Sequence, residues 1–525
     1  MDAATVHRRR WLILAVLSLC LVISGLDALV IAMAVPSVQT DLNATVGQMQ
    51  WSVDAYTLTF GGLLLLAGVL ADRFGHKLVL LTGLAVMLAF SVGAALSGSA
   101  DTLILSRAGM GLGAALVMPA TLAIIKHVFP PEEQTKAIAI WSGAAGMGIP
   151  LGPVIGGLLL NHFWWGSIFL INVPVVGLAL LGGALLIPTW RNPKRVSLDL
   201  VGAVLSVLGL VSLVYGLIEV PANGWGSAAT VAWLVGGLVL LGAFVVWENR
   251  AANAMLPMEL FRNRRFSGSA AALTCQAFAL FGSLFVITQY FQLARQYDPL
   301  PAGFRLLAIV SLIITSPLAP KVVEAIGDKL TIIIGLLVIA AGGFLLSTAE
   351  VSDETTVLIG LGIMGLGIGL SIPPSVDGIL SGAPSHQAGT ASAVNDTALQ
   401  VGGAISVAVL GSVMTTSYRH ALDSTPGLTD AQQHAARDSL GSALGVAKQL
   451  GQGGADLVAN ATHAFGSSVS STSVTSACVA LFGALAAAVI MPARSKKTAE
   501  DTDAPTLDVA AARPAETGVA SKLAE

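Results

Sequence analysis

Residues 142–157 read SGAAGMGIPLGPVIGG, an uncharged stretch inside a long apolar run. In a helix, its small residues at every fourth position would form one face without bulky side chains: Ala144, Gly148, Gly152 and Gly156. Pro150 and Pro153 remove backbone donors and permit a bend, which a membrane helix tolerates when its neighbours satisfy the freed carbonyls. The stretch therefore predicts either a tightly packed pair of membrane helices or the flexing helix of a transporter.

The composition of the chain excludes a soluble domain. Over its 525 residues, 54% are hydrophobic, 11% are charged and the mean hydropathy is +0.79. Lipid excludes open sheet edges, so repeated apolar runs of about 20 residues indicate helices. Cys20, Cys275 and Cys478 lie scattered in apolar runs without metal-ligand spacing. We expect an all-α polytopic membrane protein with no metal, disulfide or cofactor.

The basic residues Arg8, Arg9 and Arg10 precede an apolar run from Trp11 to Val35. A secretory signal peptide begins in the same way, but this run is too long for one and lacks a small-residue cleavage site. We interpret it as an uncleaved first span whose basic end lies in the cytoplasm.

Fourteen apolar runs have about the length that a bilayer requires. They lie near 11–36, 48–71, 78–98, 102–127, 136–160, 166–188, 198–219, 227–247, 267–293, 302–325, 330–349, 355–376, 388–416 and 467–492. An even count places both termini on one side. Basic residues concentrate on that side, which predicts cytoplasmic termini in a plasma-membrane protein: Arg8 to Arg10, Arg73, Lys77, Lys136, Arg191, Lys194, Arg195, Arg250, Arg262, Arg264, Arg265, Lys321, Lys329, Arg494, Lys496 and Lys497.

An internal repeat relates the two ends of the chain. The segment DRFGHKL at 72–78 is echoed 252 residues later by EAIGDKL at 324–330. A second echo pairs GLG at 111–113 with GLG at 365–367. The repeat predicts two six-helix bundles with two inserted helices between them.

The repeat also divides the chain into segments. We predict a first six-helix bundle at 1–190, two inserted helices with a linker at 191–266, and a second bundle at 267–492. Residues 417–466 form a long outer loop in which 429–450 has the pattern of an amphipathic surface helix. The tail at 493–525 lacks any period and predicts disorder in the cytoplasm.

Several motifs carry a resemblance to a known family. They are Leu26–Asp27 through Pro36, the loop from Gly68 to Lys77, Arg107 with Gly111 and Gly113, the stretch 142–157, the segment Phe163 to Pro174, and Ser392 to Gly403. Together they resemble the major facilitator superfamily, and in particular its fourteen-span drug/proton antiporters, which include quaternary-ammonium exporters. The chain departs from that pattern at Leu399 and Gln400, where relatives often carry an arginine and an acid.

The resemblance implies roles for two of these motifs. It implies a gate in the cytoplasmic turn, where charges pair with helix ends, built from Gly68, Asp72, Arg73, Gly75 and Lys77. Positive-inside anchoring alone would explain Arg73 and Lys77 but not Asp72. It implies an antiporter motif built from Gly148, Pro150, Gly152, Pro153, Gly156 and Gly157.

Ionisable residues inside spans are costly, so each is a functional candidate. Asp27 and Asp54 fall at similar predicted depth and are expected to face one cavity. A buried carboxyl group can load a proton on one side and release it on the other, in competition with a cation. Arg107 cannot carry a proton but can bias a nearby acid, and Asp396 is the candidate of the second bundle. The alternatives are a hydrogen-bonded structural acid at Asp27, a wet interfacial Asp54 and a snorkelling Arg107.

Aromatic rings attract desolvated quaternary ammonium groups. The candidates that face a cation are Trp51, Tyr56, Phe281 and Phe285, for which packing is the alternative.

We therefore expect a proton-coupled antiporter that exports lipophilic, cationic drugs or antiseptics by alternating access. Its expected partners are those small molecules, protons and membrane lipid, with no nucleic acid. The chain contains no phosphate-binding G-x-x-x-x-G-K-[ST] motif, and its histidines sit at span ends and loops, so we do not expect an enzyme. The main alternative is a proton-coupled exporter of one endogenous metabolite, such as an antibiotic, a lipid or a peptide.

Overall fold

The computed structural model describes residues 3–188, 199–251, 254–384, 388–422, 428–450 and 454–492, and their regular structure is helical throughout. The helices are α1 (Ala3–Leu42), α2 (Val46–Phe74), α3 (His76–Ala95), α4 (Ala100–Val128), α5 (Pro131–His162), α6 (Ser167–Leu170), α7 (Asn172–Leu186), α8 (Leu200–Asn223), α9 (Ala228–Arg250), α10 (Arg264–Gln289), α11 (Pro299–Leu306), α12 (Leu312–Thr315), α13 (Ala319–Ile326), α14 (Asp328–Ser347), α15 (Glu354–Ser381), α16 (Ala388–Ala421), α17 (Asp430–Asp438), α18 (Leu440–Leu450) and α19 (Ala455–Ile490). The all-α membrane class predicted from composition is confirmed.

Twelve stretches of the described chain are long and apolar enough to cross a membrane. Two further predicted spans correspond to α2 and α5, which are 29 and 32 residues long. The count of fourteen spans stays a prediction. The tail at 493–525, for which we predicted disorder, lies outside the described residues.

The helices α1 to α7 pack on one another, as do α10 to α16 with α19. Lysine and arginine side chains mark one end of the molecule, which we call the basic end. There, Lys77 at the start of α3 donates to carbonyls at the end of α7, and Arg264 at the start of α10 donates to carbonyls at the end of α19. We call the opposite end the far end.

The helix α8 lies between the two groups and contacts both α2 and α16. Its hydrogen bonds to α16 come from Ser412, which donates to the Leu217 carbonyl, and from Arg419, which donates to the Pro221 carbonyl at 2.5 Å. Against α2 its contacts are apolar and aromatic, including Trp51 with its ring centroid 6.0 Å from that of Tyr215.

One predicted span, 302–325, is not a continuous helix. Short 3-10 segments at Leu307–Ser311 and Ser316–Leu318 separate α11, α12 and α13. The side chains of Ser311 and Thr315 donate to the carbonyls of Gly362 and Leu366 on α15, at 2.6 and 2.8 Å. Prolines at 317 and 320 lack the donors that a regular helix would use, so this span is held by its neighbour.

The outer loop contains two helices where we predicted one over 429–450. Thr429 caps α17 with a capping box that includes Gln432, as its sequence indicates. Ser439 then adopts an extended conformation and separates α17 from α18. Apolar residues of both helices join the core at the far end, where the Tyr418 hydroxyl donates to the Ala436 carbonyl at 3.0 Å.

Candidate functional site

The carboxyl group of Asp27 lies in the core of the first helix group, fully buried on α1. The side-chain amide of Asn172, at the start of α7, donates to both carboxylate oxygens at 2.8 and 3.0 Å. The same nitrogen lies 3.1 Å from the hydroxyl oxygen of Ser91 on α3. Three helices thus meet at one buried acid.

Arg107 on α4 completes this polar cluster. It is fully buried, its Nε donates to the Ser52 carbonyl at 2.9 Å, and its guanidinium lies 4.5 Å from the ring centroid of Tyr56. The two terminal nitrogens of Arg107 have no hydrogen-bond partner in the part of the chain that the structure describes. Arg107 and Asp27 interact electrostatically, although they form no direct ion pair among the described residues.

Asp54 is also fully buried, but it belongs to a different face. It lies one turn from Gln50, which donates to the Val407 carbonyl of α16 at 3.3 Å, and one turn from Leu58, which packs with Ala404. Positions 54 and 56 of a helix point about 200° apart, so Asp54 faces α16 while Tyr56 faces Arg107. Within the described part of the chain, neither oxygen of Asp54 has a hydrogen-bond partner. Asp27 and Asp54 therefore have different neighbours, and the expectation that they face one cavity stays a prediction.

Asp396 lies on α16, away from the cluster around Asp27. It is partly buried and accepts a hydrogen bond from its neighbour Asn395 at 3.0 Å. One residue on, Thr397 donates to the Gly61 carbonyl of α2 at 3.4 Å. Asp396 is thus placed near the contact between α2 and α16.

The candidate aromatics have separate surroundings. Trp51 contacts Tyr215 of α8, and the ring of Tyr56 faces Arg107 of the protein itself. Phe285 is buried in the second helix group. Phe281 is partly buried and lies against Gly403 of α16. Phe281 thus lies at the contact between α10 and α16.

In the gate motif, Lys77 connects two helices. Its Nζ donates to the carbonyls of Ala184 and Ile187 at 2.8 and 2.7 Å, where α7 ends. Gly75 has a φ of 98°, a backbone conformation that favours glycine, and it joins α2 to α3. Arg73 is exposed and Gly68 lies near Pro119, while the side chain of Asp72 lies outside the described part of the chain.

The antiporter motif contacts both helix groups. A methyl group on Gly148 would lie 2.8 Å from the Cα of Gly25 on α1, and one on Gly156 would lie 2.9 Å from the Val30 side chain. A methyl group on Gly157 would lie 2.6 Å from the carbonyl oxygen of Pro299 on α11.

The opposite side of this contact is equally close. A methyl group on Gly303 of α11 would lie 2.4 Å from the carbonyl oxygen of Pro153. Gly152 is buried as well, and the side chain of Pro150 lies outside the described part. We call this contact between α5 and α11 the seam; beside it, Gln292 after α10 donates to the Met33 carbonyl of α1 at 2.9 Å.

Sequence reasoning missed Asn172 and Ser91 as members of the site. Asn172 stands inside the motif Phe163 to Pro174, where it is the amide at the start of an apolar run. A polar side chain in such a run is costly unless it has a partner, which is the signal that would have indicated it.

Comparisons with known proteins agree with this fold. The Major Facilitator Superfamily profile matches residues 17–407. A multidrug efflux pump of Mycolicibacterium smegmatis is 35% identical over 91% of this chain and 95% of its own length. The tetracenomycin C resistance and export protein of Streptomyces glaucescens is 35% identical over 79% and 78%, and the methyl viologen resistance protein of Salmonella typhimurium is 31% identical over 87% and 93%.

Solved structures show the same fold at low identity. An inward-facing, unoccupied bacterial homolog of the human lysosomal transporter Spinster has 16% identity and a TM-score of 0.65, over 93% of this chain and 99% of that one. A D-xylose–proton symporter has 16% identity and a TM-score of 0.58, over 91% and 97%.

Proposed function

The chain belongs to the major facilitator superfamily and is a transporter rather than an enzyme, and from that premise we propose that it is a proton-coupled antiporter that exports lipophilic, cationic drugs or antiseptics across the plasma membrane. Its relatives are named for multidrug efflux, for antibiotic resistance and export, and for methyl viologen resistance. Methyl viologen is a dication, which supports a cationic substrate class.

The observation that carries the proposal is the buried acid at Asp27. It has no direct ion-pair partner among the described residues, and an amide supplies its hydrogen bonds. A carboxyl group in such a position can exist with or without a proton as the cavity changes sides. Arg107 lies within electrostatic range and keeps its own charge, so it can bias this exchange.

We propose that the carboxylate of Asp54 binds the cation. Its helix position, one turn from Gln50, directs its carboxyl group toward α16, and neither oxygen has a hydrogen-bond partner among the described residues; Phe281 of α10 packs on α16 at Gly403. A cation held between a carboxylate and a ring face gains from both contacts. Asp396 and the remaining aromatics, Trp51, Tyr56 and Phe285, are secondary candidates.

Alternating access would use the seam. The contacts of α5 with α11, and of Met33 with Gln292, join the two helix groups toward the far end. With the basic end in the cytoplasm, this arrangement corresponds to a state closed to the outside. We propose two six-helix bundles, with the inserted helices α8 and α9, that rock about the central cavity.

The test is uptake of ethidium into inverted membrane vesicles with an imposed proton gradient. Wild type should concentrate the dye when the lumen is acidic, whereas Asp27→Asn should lose gradient-driven uptake. Asp54→Asn should lose it as well, because the site for the cation is neutralised. Dye uptake in wild type that ignores the gradient would refute antiport, and undiminished transport by both variants would refute the assignment of these acids.

Replacement of Gly157 by leucine tests the seam without touching a charge. The new side chain would collide with Pro299, so α5 and α11 could not close. We expect strongly reduced turnover with unchanged binding of ethidium to purified protein. As a control, Gly177→Leu adds the same side chain where no heavy atom lies within 4 Å. Normal turnover of the Gly157 variant would contradict a role of residues 142–157 in alternating access and would favour simple helix packing.

The second candidate function is export of one endogenous metabolite. Its support is that some relatives are named for single antibiotics, such as the tetracenomycin C protein and the methylenomycin A resistance protein of Streptomyces coelicolor. A panel of unrelated dyes and drugs separates the two. Transport of many panel members supports the multidrug function, and transport of none of them supports the metabolite exporter.

A further inference from the structure

The amide of Asn172 is in an unusual position for a structural residue. Asn172, Asp27 and Ser91 are all fully buried, and they come from α7, α1 and α3. One nitrogen of Asn172 lies within hydrogen-bond distance of both Asp27 oxygens and of the Ser91 oxygen. An amide nitrogen carries two hydrogens, so one can serve Asp27 while the other serves Ser91.

This arrangement matches an ionised Asp27. An ionised carboxylate only accepts hydrogen bonds, and Asn172 presents a donor to it. The oxygen of the same amide is buried and has no hydrogen-bond partner among the residues described. An unsatisfied buried carbonyl costs free energy, so the amide has a reason to turn when Asp27 changes state.

A half-turn of the amide exchanges its oxygen and nitrogen. When Asp27 takes a proton from the cavity, an O–H bond forms on the carboxyl group and the amide oxygen can accept from it. No covalent bond of Asn172 changes, and the proton leaves by the reverse step. The other charged or titratable groups that interact with Asp27 are Arg107 on α4 and Tyr56 on α2. Arg107 can only donate, and the Tyr56 hydroxyl donates to the Ser24 carbonyl at 3.3 Å rather than to the acid, so Asn172 is the group placed to match both states.

We infer that Asn172 is a positioning residue for Asp27 that matches the acid in both protonation states, and that Ser91 holds the amide in the donor orientation. The inference rests on the proposed proton coupling through Asp27. Asn172 is the first residue of α7, so the orientation of its amide would link the protonation state of Asp27 on α1 to the junction between α6 and α7.

The test uses infrared difference spectra of purified protein, which measure the protonated carboxyl band of Asp27 directly. The band is assigned by its loss in Asp27→Asn. In Asn172→Leu, which keeps the size but removes the amide, the protonated fraction at neutral pH should rise about tenfold, since a charge-assisted donor has been lost. Asn172→Gln keeps an amide, so its protonated fraction should lie between those of wild type and Asn172→Leu. Ser91→Ala removes the partner that holds the amide but leaves its bonds to Asp27, so it should raise the protonated fraction by less than about threefold. Ser97→Ala just beyond the end of the same helix, whose hydroxyl donates to the Gly93 carbonyl, is the matched control and should leave the band unmoved.

The same variants are then assayed for ethidium uptake at several external pH values. Asn172→Leu should move the pH profile of uptake, whereas a residue that only packs would lower uptake at every pH alike. An unmoved infrared band in a folded Asn172→Leu protein would overturn the inference. If wild-type uptake proves independent of the proton gradient, the proposed function fails, while the infrared titration still decides the role of Asn172.

Discussion

The two copies of the internal repeat have the same backbone frame. A methyl group on Gly83 of α3 would lie 2.8 Å from the Gly113 carbonyl oxygen of α4, and one on Gly335 of α14 would lie 2.8 Å from the Gly367 carbonyl oxygen of α15. The offsets are 252 and 254 residues, as in the sequence echoes. Close helix contact without side chains is therefore built twice.

The turns at the basic end are repeated as well. Gly75 and Gly327 have φ values of 98° and 88° and begin α3 and α14. The lysines that follow, Lys77 and Lys329, donate to carbonyls where α7 and α19 end. The frame is thus a set of packing and capping contacts that a duplicated sequence reproduces.

Among the described residues, the fully buried charges of the first copy have no counterpart in the second. The position 254 residues after Arg107 is Leu361, which is buried and apolar. The first copy holds the buried Asp54 and Arg107, whereas the core of the second copy relies on neutral groups such as Ser371 and Ser375. Burial of a charge inside a span is costly in free energy, so each buried charge is a candidate for a functional role. The two copies thus share their backbone contacts, whereas the fully buried charges of the described residues differ between them and lie in the first copy.

The largest effect is expected when the buried carboxyl group of the first half is removed. Asp27→Asn should lower gradient-driven ethidium uptake about 100-fold, because the exchangeable proton is lost. Asp396→Asn, in the second half, should lower it far less. Both are measured in inverted vesicles at matched protein amounts. Equal losses would mean that the two halves share the coupling.

Arg107 offers a sharper contrast between function and stability. Arg107→Leu should reduce uptake about tenfold. Its thermal stability should change little, since the loss of the Arg107 bond to the Ser52 carbonyl is offset by removal of a buried charge whose two terminal nitrogens have no hydrogen-bond partner among the described residues. Leu361→Met, at the echo position, should affect neither quantity. A marked loss of stability in Arg107→Leu would make the arginine a structural residue.

The frame should respond alike in both copies. Gly113→Leu and Gly367→Leu each place a side chain against a backbone less than 3 Å away. Each should destabilise the protein by about 1–3 kcal/mol, and by similar amounts, through overpacking. Thermal unfolding in detergent measures this effect. If leucine destabilises one copy but not the other, the α3–α4 and α14–α15 contacts differ more than their glycines indicate.

The smallest effect is expected at the basic end. Lys77→Met removes donors to two carbonyls and Lys329→Met a donor to one. Partial exposure limits the cost to about 1 kcal/mol or less, with the larger value for Lys77. The melting temperatures of the two variants give the comparison. A larger loss at Lys329 would contradict this order.

Much of the frame was predictable from the sequence. The echoes at 72–78 and 111–113 predicted equivalent turns and close contacts because glycine and lysine spacing translates directly into backbone geometry. Hydropathy predicted the helices, but it does not include hydrogen bonds between helices. It therefore predicted one continuous span at 302–325, where Ser311 and Thr315 instead bond to α15 and the helix is interrupted.

The candidate site was only partly predictable. Asp27, Asp54 and Arg107 stood out because charges in apolar runs are rare. Their grouping did not, since depth along a helix says nothing of direction around it until neighbours are known. Asn172 is neutral and lies 145 residues from Asp27, so only the fold brings the two together.

The seam has a consequence for energy conservation. An exporter driven by a proton gradient wastes that gradient if hydrated ions leak between its halves. Where Gly157 meets Pro299 and Gly303 meets Pro153, the two backbones lie in direct contact. In the proposed cycle, the glycines that let α5 and α11 separate would therefore also limit ion leakage when the two helices are together.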